Sequence, residues 1–180
     1  TIDGGEGIDT ALFSAGAGVV VVLDAEGDAI ATVNALDGAT PDTVLDFENI
    51  NGSNNLNSPH QGADILSGNS GSNTLNGQAG DDILNGEGGD DILIGGAGND
   101  ILIGGEGADT FSFGPGFGID LILDFEVGID RLDFSDFGDD FSGPTSEQDG
   151  ADTVFTFGTA GGVRLEGVNA ADLTEDDILV

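Results

Sequence analysis

The chain has 180 residues and a formal net charge of −33, which comes from 35 acidic residues against two basic ones. This charge excludes nucleic acid and anionic membrane surfaces as partners, because both would repel the chain. The absence of cysteine excludes disulfides, and without a run of 18 apolar residues no membrane insertion is expected. Acidic disorder is the alternative, but 11 phenylalanines and regularly spaced aliphatic residues argue against it. A compact chain this acidic repels itself, so we expect folding to need a cation.

The N-terminal part opens with GGEGIDTALF (4–13), a segment that carries Asp9 among its glycines. The pattern then breaks, and three apolar segments predict strands: 19–23, 30–33 and 44–50. The residues leave open whether these strands form a separate small hairpin or belong to a larger repeated architecture.

The middle of the chain divides into nonapeptides that keep one register through six copies. They read PHQGADILS (59–67), GNSGSNTLN (68–76), GQAGDDILN (77–85), GEGGDDILI (86–94), GGAGNDILI (95–103) and GGEGADTFS (104–112). The fourth position is always glycine, the sixth is Asp or Asn, and the eighth is large and apolar. The first six residues predict a turn, because glycine reaches backbone angles that other residues avoid. The last three residues predict a short strand.

One nonapeptide cannot bury its own apolar residue, so the copies are expected to stack, with two nonapeptides in each lap. The apolar residues then form two inward ladders: Leu66, Leu84 and Leu102, and Leu75, Leu93 and Phe111. The turns form two acidic edges. The first edge carries Asp64, Asp82 and Asp100, and the second carries Asn73, Asp91 and Asp109. The pattern therefore predicts an all-β solenoid.

The two acidic edges determine the chemistry that we expect. Neighbouring laps lie about 4.8 Å apart, a spacing at which rows of carboxylates repel each other strongly unless a cation lies between them. Carboxylate and carbonyl oxygens, with no cysteine and one histidine, favour Ca²⁺ over Zn²⁺, copper and Mg²⁺. The alternative is that the aspartates only cap solvent-facing turns, which would leave both rows uncompensated. The fifth-position Asp81 and Asp90 are expected to face solvent.

The pattern G-G-x-G-x-D-x-apolar-x resembles the RTX (hemolysin-type) calcium-binding nonapeptide repeat. Residues 95–103 match it at every position, and 104–112 match it with phenylalanine as the apolar residue. Asn69, Gln78 and Glu87 depart from it at the second glycine. The resemblance implies a calcium-loaded parallel β-roll, a β-solenoid in which each ion is held between stacked turns.

The resemblance also implies a ligand set. One turn would supply its first- and third-position carbonyls and its acid, and the facing turn its second- and fourth-position carbonyls and its acid. The implied ligands are Gly77, Ala79, Asp82, Glu87, Gly89, Asp91, Gly95, Gly96, Ala97, Gly98, Asp100, Gly104, Gly105, Glu106, Gly107 and Asp109. Asp64 and Asn73 begin the two edges, and the amide of Asn73 predicts a weaker site. Counting the gaps between acids predicts about four calcium ions, or up to six with sites at the ends.

The nonapeptides are expected to stop after Gly114 and to be followed by a capping β-structure that closes the roll. The predicted strands are 117–125, 128–134, 152–157 and 161–168, with turns at 114–118 and 142–150. This part of the chain resembles the C-terminal region of type I secreted exoproteins such as serralysin-like proteases. The resemblance implies a secretion signal near 175–180, where acidic residues precede apolar ones. It also implies three regions: irregular solenoid laps in 1–58, the RTX roll in 59–112, and the cap in 113–180.

Three rare basic residues receive structural interpretations. Arg131 and Arg164 are expected to form ordinary ion pairs with some of the many carboxylates rather than an anion site. His60 has no second histidine or cysteine to pair with, so we interpret it as a turn or surface residue.

The sequence contains no HExxH, no GxSxG and no cysteine, so the chain itself is predicted not to be an enzyme. It begins at Thr1 and contains no methionine, which predicts a processed product or a fragment, with any catalytic domain upstream. The resemblance implies a module that folds on extracellular Ca²⁺ and supports the secretion, by type I machinery, and the stability of a bacterial exoprotein. The alternative is a segment of a surface-layer, adhesin or matrix protein that self-associates with calcium at the cell surface. A carbohydrate-binding or epimerase-associated module is a third hypothesis, weakened by the absence of Trp and Tyr.

Overall fold

The structure is a computed structural model that describes residues 10–12, 20–22, 49–51, 63–138, 143–157 and 161–180. These residues form short strands and one 3-10 helix, Ser135–Phe137. The strands are β1 Thr10–Leu12, β2 Val20–Val22, β3 Asn49–Asn51, β4 Ile65–Ser67, β5 Thr74–Ala79, β6 Ile83–Asn85, β7 Ile92–Ala97, β8 Ile101–Ile103, β9 Thr110–Ser112, β10 Ile119–Ile122, β11 Arg131–Asp133, β12 Thr145–Asp149, β13 Asp152–Thr156, β14 Gly162–Leu165 and β15 Ile178–Leu179. Within the described ranges, no helix has the length and apolar character needed to cross a membrane.

From β1 to β12, successive strands alternate between two sheets, as the two-nonapeptide lap predicts, whereas β12, β13 and β14 lie in the same sheet. One sheet has the order β1-β3-β5-β7-β9-β11-β15, and the other has the order β2-β4-β6-β8-β10-β14-β13-β12. All pairs of the first sheet are parallel, and so are those of the second from β2 to β14. Each lap of the chain therefore adds one strand to each sheet, which confirms the all-β parallel solenoid.

The core lies between the two sheets and consists of the two predicted apolar ladders. Leu66 pairs with Leu84 and Leu84 with Leu102 in one sheet, while Leu75, Leu93 and Phe111 are in register in the other. All six side chains are completely buried. Burying one such side chain contributes about 1.5–3 kcal/mol, so the eighth position of each nonapeptide is the main apolar contribution of its lap.

Two strands are longer than the three residues expected. β5 and β7 continue from the end of one nonapeptide into the next turn, where Gln78 pairs with Gly96 and Ala79 with Ala97. The first three residues of a turn can therefore continue the sheet, because the following lap repeats the same backbone path and offers matching N–H and C=O groups.

Both sheets continue past Ser112, where the strict nine-residue count ends. Residues 115–123, PGFGIDLIL, form another copy, with Gly118, Asp120 and Ile122 at the fourth, sixth and eighth positions. In the sheet, Ile122 pairs with Leu102 and is fully buried. Phe113 and Gly114 lie between Ser112 and this copy, so the copy does not follow the strict nine-residue spacing of the repeats before it.

The predicted turn at 142–150 instead contains β12, which pairs antiparallel with β13. Every side chain of β12 is exposed, so its residues carry no apolar alternation that would indicate a strand. Strands β10, β11, β13 and β14 lie inside the segments predicted for them.

The last strands and a cluster of phenylalanines form the C-terminal β-structure. β13 pairs antiparallel with β14, which itself continues the parallel sheet beside β10. Ring centroids are 5.3 Å apart for Phe113 and Phe134, and 4.8 Å apart for Phe134 and Phe157. These rings extend the apolar interior beyond the last strict repeat. The boundaries after residues 58 and 112 stay predictions.

At the N-terminal end, β1 pairs in parallel with β3, and β2 pairs in parallel with β4. β1 and β2 thus belong to different sheets, which fits laps of the roll. The predicted strand at 30–33, which the hairpin alternative requires, lies outside the described residues, as do Asp9 and His60.

Candidate metal sites

The turns stack along the two edges of the roll because the strands between them are in register. Turns 77–82 and 95–100 lie on the first edge, and turns 68–73, 86–91 and 104–109 on the second. Backbone hydrogen bonds join neighbouring turns directly: Gly80 N–H donates to Ala97 O at 2.9 Å, and Gly89 N–H donates to Glu106 O at 2.8 Å. Each turn therefore lies directly against the corresponding turn of the next lap.

The sixth-position side chains form two continuous ladders of hydrogen bonds along these edges. On the first edge, the backbone N–H of Asp64 donates to Asp82 Oδ1 at 2.7 Å, and that of Asp82 donates to Asp100 Oδ1 at 2.8 Å. On the second edge, the backbone N–H of Asn73 donates to Asp91 Oδ1 at 2.6 Å, and that of Asp91 donates to Asp109 Oδ1 at 2.8 Å. One oxygen of each carboxylate thus satisfies a backbone donor of the preceding lap.

The other carboxylate oxygen is buried without a hydrogen-bond partner. This holds for Oδ2 in five residues: Asp82, Asp91, Asp100, Asp109 and Asp120. Each of these side chains is only 1% exposed. Buried acceptors that stay unpaired cost free energy, and buried charges cost much more. The five oxygens therefore require either a proton or a cation.

The pKa values of these carboxyl groups show the same requirement. Burial is the largest cause and raises the pKa of Asp82 to about 8, with the charges of Asp100 and Asp64 adding to it. Burial also raises the pKa of Asp91 to about 7 and that of Asp100 to about 6. Burial thus opposes the ionisation of these groups, and a nearby positive charge would compensate for the lost hydration.

The first-position glycines make room for these oxygens. A Cβ added at Gly77 would collide with Asp82 Oδ2 and would come within 2.7 Å of Gly95 O. A Cβ at Gly86 would likewise meet Asp91 Oδ2 and the carbonyl oxygen of Gly104. A carboxylate oxygen and a carbonyl oxygen of the next lap therefore converge at Gly77 and Gly86, whereas the atoms nearest to a Cβ at Gly95 or Gly104 all belong to the aspartate of its own turn. Carboxylate and carbonyl oxygens are hard donors that suit Ca²⁺, so the residues present fit a calcium ion.

The second and fourth positions require unusual backbone angles. At the second position, Gly96 has φ of 102° and Gly105 has φ of 99°, while Gln78 and Glu87 have φ of 71° and 73°. Non-glycine residues are strained in this region. Gln78 and Glu87, two of the three departures from the glycine pattern, therefore keep the repeat's backbone and bear its conformational cost.

The fourth-position glycines are also required by the close approach of the laps. A Cβ at Gly98 would collide with the carbonyl oxygen of Gly80, and one at Gly107 with that of Gly89. A larger residue would push the turns apart, which explains the glycine at positions 89, 98 and 107.

The structure places the implied ligand residues from Asn73 to Asp109 in these stacked turns, with Asp64 at the start of the first ladder. Among the implied carbonyl ligands, those of Glu87, Ala97 and Glu106 already accept backbone hydrogen bonds. A carbonyl oxygen has two lone pairs, so this bond leaves one available. In the part of the chain that the structure describes, no three acidic, histidine or cysteine side chains form a cluster suited to a metal. An ion here therefore has to use backbone oxygens as well.

Asn73 differs from the acids at its position. Its Oδ1 accepts the N–H of Asn69 at 2.8 Å, and its Nδ2 donates to Asn69 Oδ1 at 3.4 Å. The amide thus closes its own turn with local hydrogen bonds and contributes no negative charge.

Two ladder residues were missed by the sequence analysis. The N–H of Asp100 donates to Asp120 Oδ1 and that of Asp109 to Asp130 Oδ1, both at 3.0 Å. The signal that could have identified both is the tripeptide Gly-Ile-Asp, which occurs at 118–120 and 128–130 with an apolar residue two places later.

The residues outside the ladders have structural roles. Asp81 and Asp90 are exposed as expected, and each accepts a backbone N–H of the next turn on its edge. Arg164 forms ion pairs with Asp149 at 2.6 Å and Asp152 at 2.8 Å. Arg131 Nε donates to the carbonyl oxygen of Asp176 at 3.2 Å.

The stacked glycine turns with buried aspartates define a calcium-binding β-roll. The family model of the RTX calcium-binding nonapeptide repeat matches residues 60–93 and 85–119. The chain belongs to this family. It is therefore an RTX calcium-binding repeat module.

Solved structures that resemble the chain include part of an epimerase and an extracellular lipase. The AlgE6R3 subunit of the Azotobacter vinelandii mannuronan C5-epimerase is 38% identical, with a TM-score of 0.51 over 65% of this chain and 77% of that one. The extracellular lipase LipA of Serratia marcescens is 21% identical, with a TM-score of 0.54 over 95% of this chain. The chain spans 34% of the lipase, so this likeness concerns the fold. No curated protein matches the chain in sequence.

Proposed function

We propose that this chain is a folding module whose roll forms when Ca²⁺ binds between its stacked turns. The observation that carries the proposal is the set of five buried Oδ2 atoms without partners. Such oxygens destabilise a metal-free roll at neutral pH, and a divalent cation among them removes the penalty.

In this proposal the ions lie between successive turns on both edges. The carboxylate ligands are Asp82, Asp91, Asp100 and Asp109, and Asp64 and Asn73 begin the two rows. The carbonyl ligands are those of Gly77, Ala79, Glu87, Gly89, Gly95, Gly96, Ala97, Gly98, Gly104, Gly105, Glu106 and Gly107. About four to six ions follow from the number of gaps. The convergence of Asp82 Oδ2 and Gly95 O at the position of a Gly77 side chain supports this assignment.

The free energy of calcium binding then stabilises the folded chain, because the sites do not exist in the unfolded chain. At a calcium concentration about 100 times Kd, each site contributes about 2.7 kcal/mol. Extracellular modules bind with Kd of about 10⁻⁴–10⁻³ M, so the chain stays unfolded at low calcium and folds at high calcium. The net charge of −33 strengthens this switch by repelling the unliganded chain from compact states.

A calcium-dependent fold of this kind suits export by a type I secretion apparatus and stabilises a bacterial exoprotein after release. The extracellular lipase with the same fold supports a secreted location. At the C-terminus, Leu179 and Val180 are 47% and 63% exposed and thus accessible to a receptor. Removal of residues 175–180 should abolish export of a reporter fused to this chain, and undiminished export would contradict the role of that segment.

The folding proposal is tested by circular dichroism of the full chain in chelator, then with added CaCl₂ or MgCl₂. We expect β-structure with calcium and a largely unfolded spectrum in chelator and with magnesium. A spectrum in chelator that equals the calcium spectrum would refute the proposal. Asp90→Asn is a matched control, because Asp90 is exposed and lies outside the ladder, and it should fold at the same calcium concentration as the parent.

A second candidate function is a repeat module attached to a carbohydrate-active enzyme. The 38% identity to the AlgE6R3 subunit of a mannuronan C5-epimerase favours it. The negative charge of this chain opposes binding of an acidic polysaccharide. Calorimetry with mannuronan in calcium buffer distinguishes this candidate from the folding module. A measured heat of binding would support the carbohydrate-associated module, and the absence of heat would favour the folding module.

A further inference from the structure

Two asparagines of the strict repeats stand directly before a glycine, where one nonapeptide joins the next. They are Asn76, which precedes Gly77, and Asn85, which precedes Gly86. Asparagine amides are chemically labile, and a following glycine has no side chain to obstruct an attack by its own backbone nitrogen on the amide carbon. Each pair is therefore a reactive place in the chain whenever the backbone is free to move.

In the folded roll, hydrogen bonds hold both reacting groups of the Asn85–Gly86 pair. Asn85 ends β6; its Oδ1 accepts the N–H of Glu87 at 3.2 Å, and its Nδ2 donates to Glu87 Oε1 at 2.7 Å. The N–H of Gly86 donates to the carbonyl oxygen of Ile103 in the next lap at 2.9 Å. Attack on Asn85 Cγ requires the nitrogen of Gly86 to lose the proton of this hydrogen bond. The sheet pairing therefore restrains the nucleophile.

The main chain at Gly86 also lacks the space to rotate. A Cβ added there would collide with Asp91 Oδ2 and would come within 2.5 Å of the carbonyl oxygen of Gly104. Both neighbours belong to the stacked turns of the second edge, and Asp91 is part of its ladder. The stacking that buries the ladder carboxylates thus also immobilises Gly86.

We propose that Asn85–Gly86 is a deamidation site that reacts in the unfolded, calcium-free chain and is protected in the folded roll. The nitrogen of Gly86 bonds to Cγ of Asn85, the Cγ–Nδ2 bond breaks, and the proton of Gly86 leaves with the amide group as ammonia. Water then opens the cyclic imide at either carbonyl, which leaves aspartate or isoaspartate at position 85. Water is the co-reactant, and no oxidation or reduction occurs. This inference rests on the proposed calcium-dependent folding.

The two products change the roll differently. Aspartate keeps the main chain but places a negative charge beside Glu87, whose carboxylate accepts the Asn85 amide in the parent. Isoaspartate inserts a methylene group into the main chain directly before Gly86, where Ile103 and Gly104 fix the backbone. A chain that waits without calcium therefore loses the ability to fold, and calcium preserves its covalent structure as well as its fold.

The test incubates the full chain at neutral pH in three solutions: calcium, chelator, and chelator with urea. Peptide mapping by mass spectrometry measures conversion at position 85, and circular dichroism records whether each sample is folded. We expect conversion to be at least about tenfold slower in calcium than in chelator or in urea, because reaction in the roll requires local opening. A rate in the folded sample equal to that in urea would overturn the inference. A chain that keeps its β-structure in chelator alone would instead refute the proposed function, and the urea sample would still measure the reactivity of the free pair.

Asn85→Ser is the matched control, because Ser67 occupies the same position one lap earlier and pairs in register with Asn85. After incubation in chelator, calcium is returned and the refolded fraction is measured by circular dichroism. The refolded fraction of the parent should fall as isoaspartate accumulates at position 85, and Asn85→Ser should retain a larger fraction. An equal decline in parent and variant would overturn the effect of this site on folding.

Discussion

Replacement of Asp100 by asparagine tests whether this residue is a metal ligand or only caps its turn. In the parent chain the N–H of Asp82 donates to Asp100 Oδ1 at 2.8 Å. Asparagine keeps a side-chain oxygen that can accept this hydrogen bond. It replaces the buried, partnerless Oδ2 by a neutral NH₂ group. If Asp100 serves as a ligand, the substitution removes a charge that calcium needs. If Asp100 only caps the turn, the accepted hydrogen bond survives and little changes.

The expected loss of stability depends on how many calcium sites Asp100 serves. Asp100 lies between turns 77–82 and 115–120, so its carboxylate serves one or two sites. A site that contributes about 2.7 kcal/mol at 100 times Kd retains about 0.4 kcal/mol when its Kd rises to the calcium concentration. The loss is thus about 2.3 kcal/mol for each site, and about 2–5 kcal/mol for one or two sites. In chelator the sign differs, because an uncompensated buried carboxylate costs more than a buried amide.

The assay is urea unfolding followed by circular dichroism, in calcium and in chelator, with an excluded osmolyte added to support the metal-free fold. Asp100→Asn should lose about 2–5 kcal/mol of stability in calcium and should gain stability in chelator. Asp81→Asn, at an exposed carboxylate that also accepts a backbone N–H, should change the free energy of unfolding by less than about 0.5 kcal/mol. Equal losses for Asp100→Asn in both conditions would refute the reasoning.

Three further predictions concern the backbone, the core and protonation. Gln78→Gly should stabilise the calcium-bound chain by about 0.5–1 kcal/mol in urea unfolding, because φ of 71° strains a non-glycine residue; a loss of stability would contradict this account. Leu93→Ala should cost about 2–5 kcal/mol, because its side chain is fully buried, whereas Ile92→Ala, at a 42% exposed neighbour, should cost much less in the same assay. In chelator, acidification should favour the fold: the folded-state pKa of Asp82, at about 8, lies above its ordinary value of 3.8, so the folded chain binds more protons between these values and its stability falls as pH rises. Circular dichroism in chelator should therefore show β-structure increasing as pH falls from about 8 to about 5, and a decrease would count against the burial of these carboxyl groups.

The strict repeats could be read from the sequence because each position has one physical requirement. Leu84 and Leu93 recur at the eighth position since they fill the space between two sheets, and Gly98 recurs at the fourth since the lap below leaves no room for a Cβ. Such requirements repeat with the period of the lap, so they appear as a pattern in one dimension.

Other elements carried no readable signal. β12 has five exposed side chains, so its identity as a strand comes from backbone pairing with β13 and not from apolar alternation. The copy at 115–123 was hidden because Phe113 and Gly114 lengthen the chain between strands without changing the sheet register. A structure tolerates such an insertion in a connection, whereas a count of nine residues does not.

The sequence by itself determined the all-β roll, its two apolar ladders and the preference for calcium, since these depend on residue type and period. The tertiary structure alone decided which carboxylates have an oxygen left for a metal. Asp120 and Asp130 both follow Gly-Ile and both accept one ladder hydrogen bond. Only Asp130 also receives the N–H of Glu126. Hydrogen-bond donors reach a side chain through space, so their number depends on the path of the folded backbone.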